Sequence, residues 1–394
     1  MFAAEKSSSF KVRSIVLSKI KEEKWMFKGM KKAYFAMTLV LLLGILAACG
    51  DGNDEEADAN NGDNGAGKKV EIVAKGFQHD FWVAVKEGAE EAADEFDADI
   101  NFVGPKDESA ISEQVEMITN AVNKNPDAIA LAALDTDSAL GSIEQAMDKD
   151  IPIIGFDSGV PDAPEGAIAA NAATDNYAAG ELAAEEMYPA IEEDIVDADG
   201  DIRIGVLAQE VNSMSITERT KGFIDKMEEL IDEELGEGST SVAGHEKLEN
   251  DVPVDDAKVV IETRVPAELN DSAGQTEAQT LLNKDDLIAI YGSNEFAAKS
   301  IINADDAISG GKIGPDADGI IAVGFDSGAL QIDAVESERF YGSVTQDPIA
   351  IGYSAVELAI KASNGEDVSD VDTGSKWYDA SNIDDEDIEP IIYE

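Results

Sequence analysis

Short apolar runs alternate with amphipathic stretches from Val70 onward, and few architectures accept that alternation. Val70–Ala74 reads as a strand. Residues 80–97 read as a helix, with Trp82, Val85, Ala89, Ala92, Ala93 and Phe96 recurring on one face at helical spacing. Asp99–Val103 is the next strand, followed by a helix carrying Ile111, Val115, Ile118 and Val122 and stopped by Asn125-Pro126. Strand 128–133, helix 137–148 and strand 151–156 complete one series. The rhythm restarts at Ile202–Ala208 and continues through helix 214–233, strand 258–263, helix 272–284, strand 287–291, helix 294–304 and strand 319–325. Strands that are apolar along their length and separated by helices belong to parallel sheets covered on both faces. The expected fold is α/β, with doubly wound parallel sheets.

One string occurs twice. Ile153-Ile154-Gly155-Phe156-Asp157-Ser158-Gly159 is echoed by Ala322-Val323-Gly324-Phe325-Asp326-Ser327-Gly328. Each copy sets an Asp just past the carboxyl end of an apolar strand, where open α/β sheets bind ligands. Asp-Ser-Gly is also a common turn string. Two copies in equivalent contexts point to two similar lobes, each offering a carboxylate to a shared cleft.

Composition removes several function classes. The 394 residues carry 29 Lys or Arg against 83 Asp or Glu, a net charge of −54, so no basic surface is available for nucleic acid. A single Cys excludes a disulfide framework or a Cys-rich zinc site, and two His leave little scope for His-based metal or triad chemistry. The 44% hydrophobic fraction is enough for real cores, and the length suits about two domains. The acids are spread over helix surfaces, as at Glu90, Glu91, Asp94 and Glu95. Such an exterior stays hydrated in high salt and repels itself in low salt, which points to a saline habitat.

Residues 1–48 differ from the rest, with nine basic and three acidic side chains. Lys28, Lys31 and Lys32 precede an apolar run from Tyr34 to Leu46, the pattern of a secretion signal. The run ends in Leu46-Ala47-Ala48-Cys49-Gly50, which resembles the lipobox of bacterial lipoprotein precursors. That resemblance implies lipidation of Cys49 and anchoring at the outer face of the cytoplasmic membrane. Met26 and Met30 offer later starts for the precursor. Residues 49–67 hold no large apolar side chain and read as an acidic tether.

Six strings stand in order along the chain: Gln78-His79-Asp80-Phe81-Trp82, Gly155-Phe156-Asp157, Ala173-Thr174-Asp175-Asn176, Thr217-Glu218-Arg219 with Gly222-Phe223, Val323-Gly324-Phe325-Asp326 and Val344-Thr345-Gln346-Asp347-Pro348. On these strings the folded part, over about residues 69–375, resembles the ribose-type sugar-binding proteins of ABC importers. The resemblance implies a type I periplasmic-binding-protein fold whose two lobes are joined by three crossings and close on ligand. The N-terminal lobe is expected to hold residues 69–173 and 347–373, and the C-terminal lobe 174–346 and 374–394.

The same resemblance supplies ligand-binding candidates. Asp157 and Asp326 would accept hydroxyl protons, Arg219 would donate in a fork, and Gln346 would do both. Phe81 and Trp82 would cover apolar sugar faces, although Trp82 also begins a core stripe. His79 stands where the family has an amide. Ser158 follows the first-lobe Asp where ribose binders carry Arg, Leu269 replaces an aromatic, and Ser293 or Asn294 aligns with a family amide. These departures make ribose itself doubtful and favour a related monosaccharide, a polyol or a sugar-derived signal.

No cofactor, metal or catalytic constellation is expected. Asp197-Ala198-Asp199-Gly200-Asp201 lacks the later residues of a calcium loop, and Gly310-Gly311-Lys312 lacks the rest of a phosphate-binding loop. The expected function is a monomeric, lipid-anchored solute-binding subunit that delivers to a permease with a separate ATPase. A sensory protein presenting a sugar, nucleoside or autoinducer-type ligand to a chemoreceptor or sensor kinase is the alternative.

Overall fold

The computed structural model describes residues 65, 67–77, 79–198, 200–314 and 319–393. Cys49, most of the tether and Gln78 fall outside the described residues.

The chain runs β1 (Lys69–Val73), α1 (Asp80–Phe96), β2 (Asp99–Val103), α2 (Ile111–Lys124), β3 (Ala128–Leu131), α3 (Thr136–Met147), β4 (Ile153–Phe156) and β5 (Ile168–Ala173). It continues with α4 (Asn176–Asp197), β6 (Ile202–Leu207), α5 (Met214–Leu235), β7 (Thr240–Ala243), β8 (Val259–Arg264), α6 (Asp271–Leu282), β9 (Leu287–Gly292), α7 (Glu295–Asp306), β10 (Ile321–Phe325), α8 (Ala329–Glu336) and β11 (Gly342–Gln346). It ends with α9 (Pro348–Ser363), β12 (Val371–Asp372) and β13 (Ser375–Tyr378).

Two sheets result. The first has the order β12-β5-β4-β3-β1-β2 and the second β13-β11-β10-β9-β6-β8-β7. Each contains the same doubly wound core: β2-β1-β3-β4-β5 in one is matched by β8-β6-β9-β10-β11 in the other. All named strand pairs are parallel except β11 with β13, so the second sheet is mixed at one edge. β13 reaches that edge by a short return from β12, and an antiparallel partner needs no crossover helix. Strands β3 and β4 are buried at every residue because helices cover both faces.

Helix ends follow local side-chain chemistry. Asp135, Asp175, Asn270, Asn294 and Asp347 each accept a backbone N–H from the first turn of the following helix. α1 and α2 stop at Asp97 and Asn125 in the left-handed region, a conformation these short polar residues tolerate. In the first lobe, α1 and α9 cover one face of the sheet through Trp82, Val85, Ile351 and Val356, while Ile118, Val122 and Ile143 cover the other. In the second lobe, α4 and α5 supply Met187, Ile191, Phe223 and Met227 to one face, and Leu281, Ile301 and Val335 fill the opposite one.

Reciprocal glycines let the paired helices touch. A Cβ on Gly88 would strike the Ile349 carbonyl, and one on Gly352 would strike that of Val85. The second lobe repeats the device: Gly180 meets the Arg219 carbonyl and Gly222 that of Tyr177.

The backbone crosses between the sheets after β5, after β11 and between β12 and β13. The first and third crossings are laced together. Asp372 Oδ1 accepts from the N–H groups of Asp175 (3.2 Å) and Gly374 (2.8 Å), and Thr174 Oγ1 donates to the Gly374 carbonyl (3.2 Å).

Candidate functional site

The repeated string occupies equivalent positions in the two sheets. Asp157 follows β4 with φ 53°, and Asp326 follows β10 with φ 76°. Each donates its backbone N–H to the neighbouring strand, Asp157 to Ala172 O at 3.1 Å and Asp326 to Val344 O at 2.7 Å. The left-handed backbone turns both carboxylates away from their sheets at the carboxyl ends of the strands. The copies diverge at the following serine. Ser158 Oγ accepts the Ser215 N–H at 3.2 Å, whereas Ser327 Oγ accepts from Thr345 Oγ1 at 3.2 Å.

Between the sheets lies a cavity of about 30 Å³. Its first-lobe wall is Lys75, His79, Phe81, Trp82, Glu108 and Asp157. Its second-lobe wall is Ser215, Ile216, Arg219, Asn294, Glu295, Asp326 and Gln346. The structure thus brings together His79, Phe81, Trp82, Asp157, Arg219, Asn294, Asp326 and Gln346 from the sequence candidates.

Three candidates stand elsewhere. Leu269 sits partly exposed in the loop before the Asn270 cap of α6, outside the cavity wall. Ser293 is buried and meets the site only through its carbonyl, which accepts from Arg219 Nη1 at 3.2 Å. Ser158 is buried against the start of α5 and bridges the lobes through Ser215.

The charges in the cavity are paired across and along its walls. Lys75 Nζ lies 3.6 Å from Asp157 Oδ2 and reaches over to Ser215 Oγ at 3.1 Å. Burial works against the Lys75 ammonium, but Asp157, Glu108 and Glu210 outweigh it and hold its pKa above the usual value. Burial pushes the Asp157 carboxyl up despite Lys75 and Arg219. Arg219 is 2% exposed. Its Nε and Nη2 donate to Asn176 Oδ1 at 3.2 and 2.7 Å, and its Nη1 lies 3.8 Å from Asp326 Oδ2. Asp326 also accepts Gln346 Nε2 at 2.7 Å and the Glu295 N–H at 3.1 Å. His79 Nδ1 lies 3.5 Å from Glu295 Oε1 across the cleft. Burial disfavours the imidazolium there, but Glu295, Glu108 and Asp326 together raise its pKa.

Two features give this arrangement a chemical bias. Asp157 Oδ2, Glu295 Oε2 and Gln346 Oε1 are buried acceptors with no hydrogen-bond partner among the described residues, and all three residues line the cavity. Buried acceptors of this kind call for donors. Beside them Phe81 and Trp82 form an aromatic corner, with centroids 5.0 Å apart and rings nearly perpendicular at 85°. The cavity therefore favours a small molecule with several O–H donors and an apolar face.

Lys75, Glu108, Ser215, Ile216 and Glu295 were not among the sequence candidates. Lys75 carried a usable signal, since it stands two residues past the first apolar strand, at the same sheet edge as the aspartates. Glu108 carried none in a chain with 83 acids.

This two-lobed architecture, with its site at the carboxyl ends of both sheets, is that of the type I periplasmic binding proteins. A family model for the periplasmic binding protein domain matches residues 70–367, and the chain belongs to that family. It is similar to the D-allose-binding periplasmic protein of Escherichia coli (strain K12), with 22% identity over 316 residues, 79% of this chain and 90% of the relative. A solved structure of an ABC transporter, LacI family transcriptional regulator from Brachyspira murdochii superimposes with a TM-score of 0.70 at 38% identity, covering 83% of this chain and 99% of the other. An ABC transporter solute-binding protein from Agrobacterium vitis with bound D-fucose gives a TM-score of 0.68 at 27% identity, covering 82% and 100%.

Proposed function

We propose that the chain is the extracytoplasmic solute-binding subunit of an ABC importer, capturing a neutral monosaccharide or related polyol between its lobes. The observation that carries this reading is the convergence of three buried acceptors, none hydrogen-bonded among the described residues, on one aromatic-cornered cavity. Sugar hydroxyls would donate to Asp157, Glu295 and Gln346, while Phe81 and Trp82 would lie against C–H faces. Arg219, anchored by Asn176, would donate to ring or hydroxyl oxygens, and Asp326 and Asn294 would complete the second-lobe wall. Hydrogen bonds to charged groups contribute about 1.5–3 kcal/mol each, and a micromolar ligand needs about 8 kcal/mol. The fucose-bound relative supports a sugar over other polyhydroxy ligands. A cavity of about 30 Å³ has room for little more than water, so entry requires the lobes to part.

The proposal extends to anchoring by lipid on Cys49, delivery to a permease with a separate ATPase, and a monomeric, non-catalytic role. Cys49→Ser should abolish incorporation of labelled fatty acid into the protein in cells.

The ligand is tested by thermal shift of the purified protein in high salt against ribose, allose, xylose, arabinose, fucose, galactose, glucose and inositol. A ligand at a hundredfold excess over its Kd adds about 2.7 kcal/mol of stability. The expected result is a raised midpoint with one or a few members, lost in Asp157→Ala and Arg219→Ala. A flat response across the panel would sink the sugar reading.

A further inference from the structure

Four buried side chains form a continuous hydrogen-bonded chain across the cleft. The Trp82 indole N–H donates to Glu108 Oε1 at 2.7 Å, and Gln209 Nε2 donates to Glu108 Oε2 at 2.5 Å. Asn294 Nδ2 donates to Gln209 Oε1 at 2.7 Å, and the Ala297 backbone N–H donates to Asn294 Oδ1 at 3.0 Å. Trp82 and Glu108 belong to the first lobe, and Gln209 and Asn294 to the second. None of the four is more than 6% exposed.

The direction of this chain is constrained at both ends. An indole N–H donates and never accepts, and the same is true of the first-turn amide of α7. Each carboxamide between them uses one donor and one acceptor. Flipping an amide therefore moves a mismatch along the chain without removing it. A chain that ends in a donor at each side needs one member that only accepts, and Glu108 is that member. Burial works against its charge, but Lys75, His79, Trp82 and Gln209 outweigh it and keep the carboxyl below its usual pKa.

We propose that Glu108 is a positioning residue whose carboxylate, as the acceptor-only link, aligns Trp82 in one lobe with Asn294 in the other when the cleft is closed. The proposal rests on the reading of this cleft as the ligand site. Its consequence is specific. In Glu108→Gln the new amide can accept from Trp82, but its NH₂ then faces the NH₂ of Gln209. Turning Gln209 sets its NH₂ against that of Asn294, and turning Asn294 sets its NH₂ against the Ala297 N–H. In E108Q/Q209E the acceptor-only link moves one position along the chain, and every donor regains an acceptor. Q209E alone sets two carboxylates face to face.

The test compares the full-length chain with E108Q, Q209E and E108Q/Q209E. Calorimetry would use a sugar that shifts the unmodified protein, and hydrogen exchange would follow the Trp82 indole and Ala297 amide protons without ligand. The expected result is binding weakened about tenfold or more in each single variant, the effect of one orphaned buried group, and returned to within about threefold in the double variant. Exchange should accelerate in E108Q at the Trp82 indole, beside the junction between the lobes, or at Ala297, according to where the mismatch settles, and slow again in the double variant. A double variant no tighter than E108Q, or Trp82 and Ala297 protons both indifferent to E108Q, would overturn the proposal. Failure of the unmodified chain to bind any sugar would sink the sugar reading alone, and the exchange measurements would still decide the role of Glu108.

Discussion

The Arg219 guanidinium carbon lies 3.6 Å above the centroid of the Phe325 ring. The ring supports the guanidinium from one side and Asn176 holds its edge, so the Arg arrives in the cleft already oriented. A lysine can neither stack nor fork in this way. Arg219→Lys should weaken sugar binding by about tenfold or more in calorimetry. Arg219→Ala, which leaves Asp326 short of a buried counter-charge, should cost about 3–5 kcal/mol of stability in denaturant titration. An unchanged affinity in Arg219→Lys would mean that the fork takes no part in binding.

His79 should make closure depend on pH. Its pKa is raised above the ordinary 6.5, and its partner Glu295 belongs to the other lobe. Glu108 and Asp326 also face it, with Lys75 the nearby cation on the same wall. A raised pKa means that the charged pair contributes fully below about pH 6.5 and is lost as pH climbs through the raised value. Affinity should therefore fall from pH 6 toward pH 9. His79→Gln should flatten that profile, which calorimetry across the range would read.

Helix contact through glycine should be unforgiving in one place and permissive in another. Gly222→Ala pushes a methyl into the Tyr177 carbonyl and forces α4 from α5, at about 1–3 kcal/mol. Gly141 lies within α3 with nothing near its missing Cβ. Gly141→Ala should be neutral or stabilise by up to about 1 kcal/mol through helix propensity. Denaturant midpoints at an unchanged m-value would check both.

The net charge of −54 predicts that stability rises with salt. Screening over roughly 10 Å at 0.1 M and 3 Å at 1 M removes repulsion among surface carboxylates first. The thermal midpoint should climb between low salt and molar sodium chloride. A midpoint that is flat or falls over that range would argue against a salt-adapted exterior.

The elements that read clearly from sequence were those whose residues advertise their own environment. The apolar strands, the amphipathic stripe beginning at Trp82 and the doubled Gly-Phe-Asp-Ser-Gly each depend on local pattern, and the structure sets Asp157 and Asp326 at matching strand ends. Boundaries moved by a residue or two, as where α7 starts at Glu295 and leaves Asn294 as its cap. What did not read was pairing at long range. Asn176 was part of a quoted string, but nothing local says that it holds Arg219. Glu108 is unremarkable until the fold brings Trp82 and Gln209 to it. Leu269 stands where the family resemblance implies an aromatic, and its loop lies outside the cavity wall.

The lacing of the first and third crossings by Asp372, Asp175, Thr174 and Gly374 has a mechanical consequence. Strands tied side by side bend together and resist twisting past one another. Lobes that part and close about crossings tied in this way would keep a nearly fixed axis of rotation, and the chain's outline would reduce to one angular coordinate. Any contact made far from the cleft would then report the same angle, so occupancy would become legible to a neighbour that never touches the ligand.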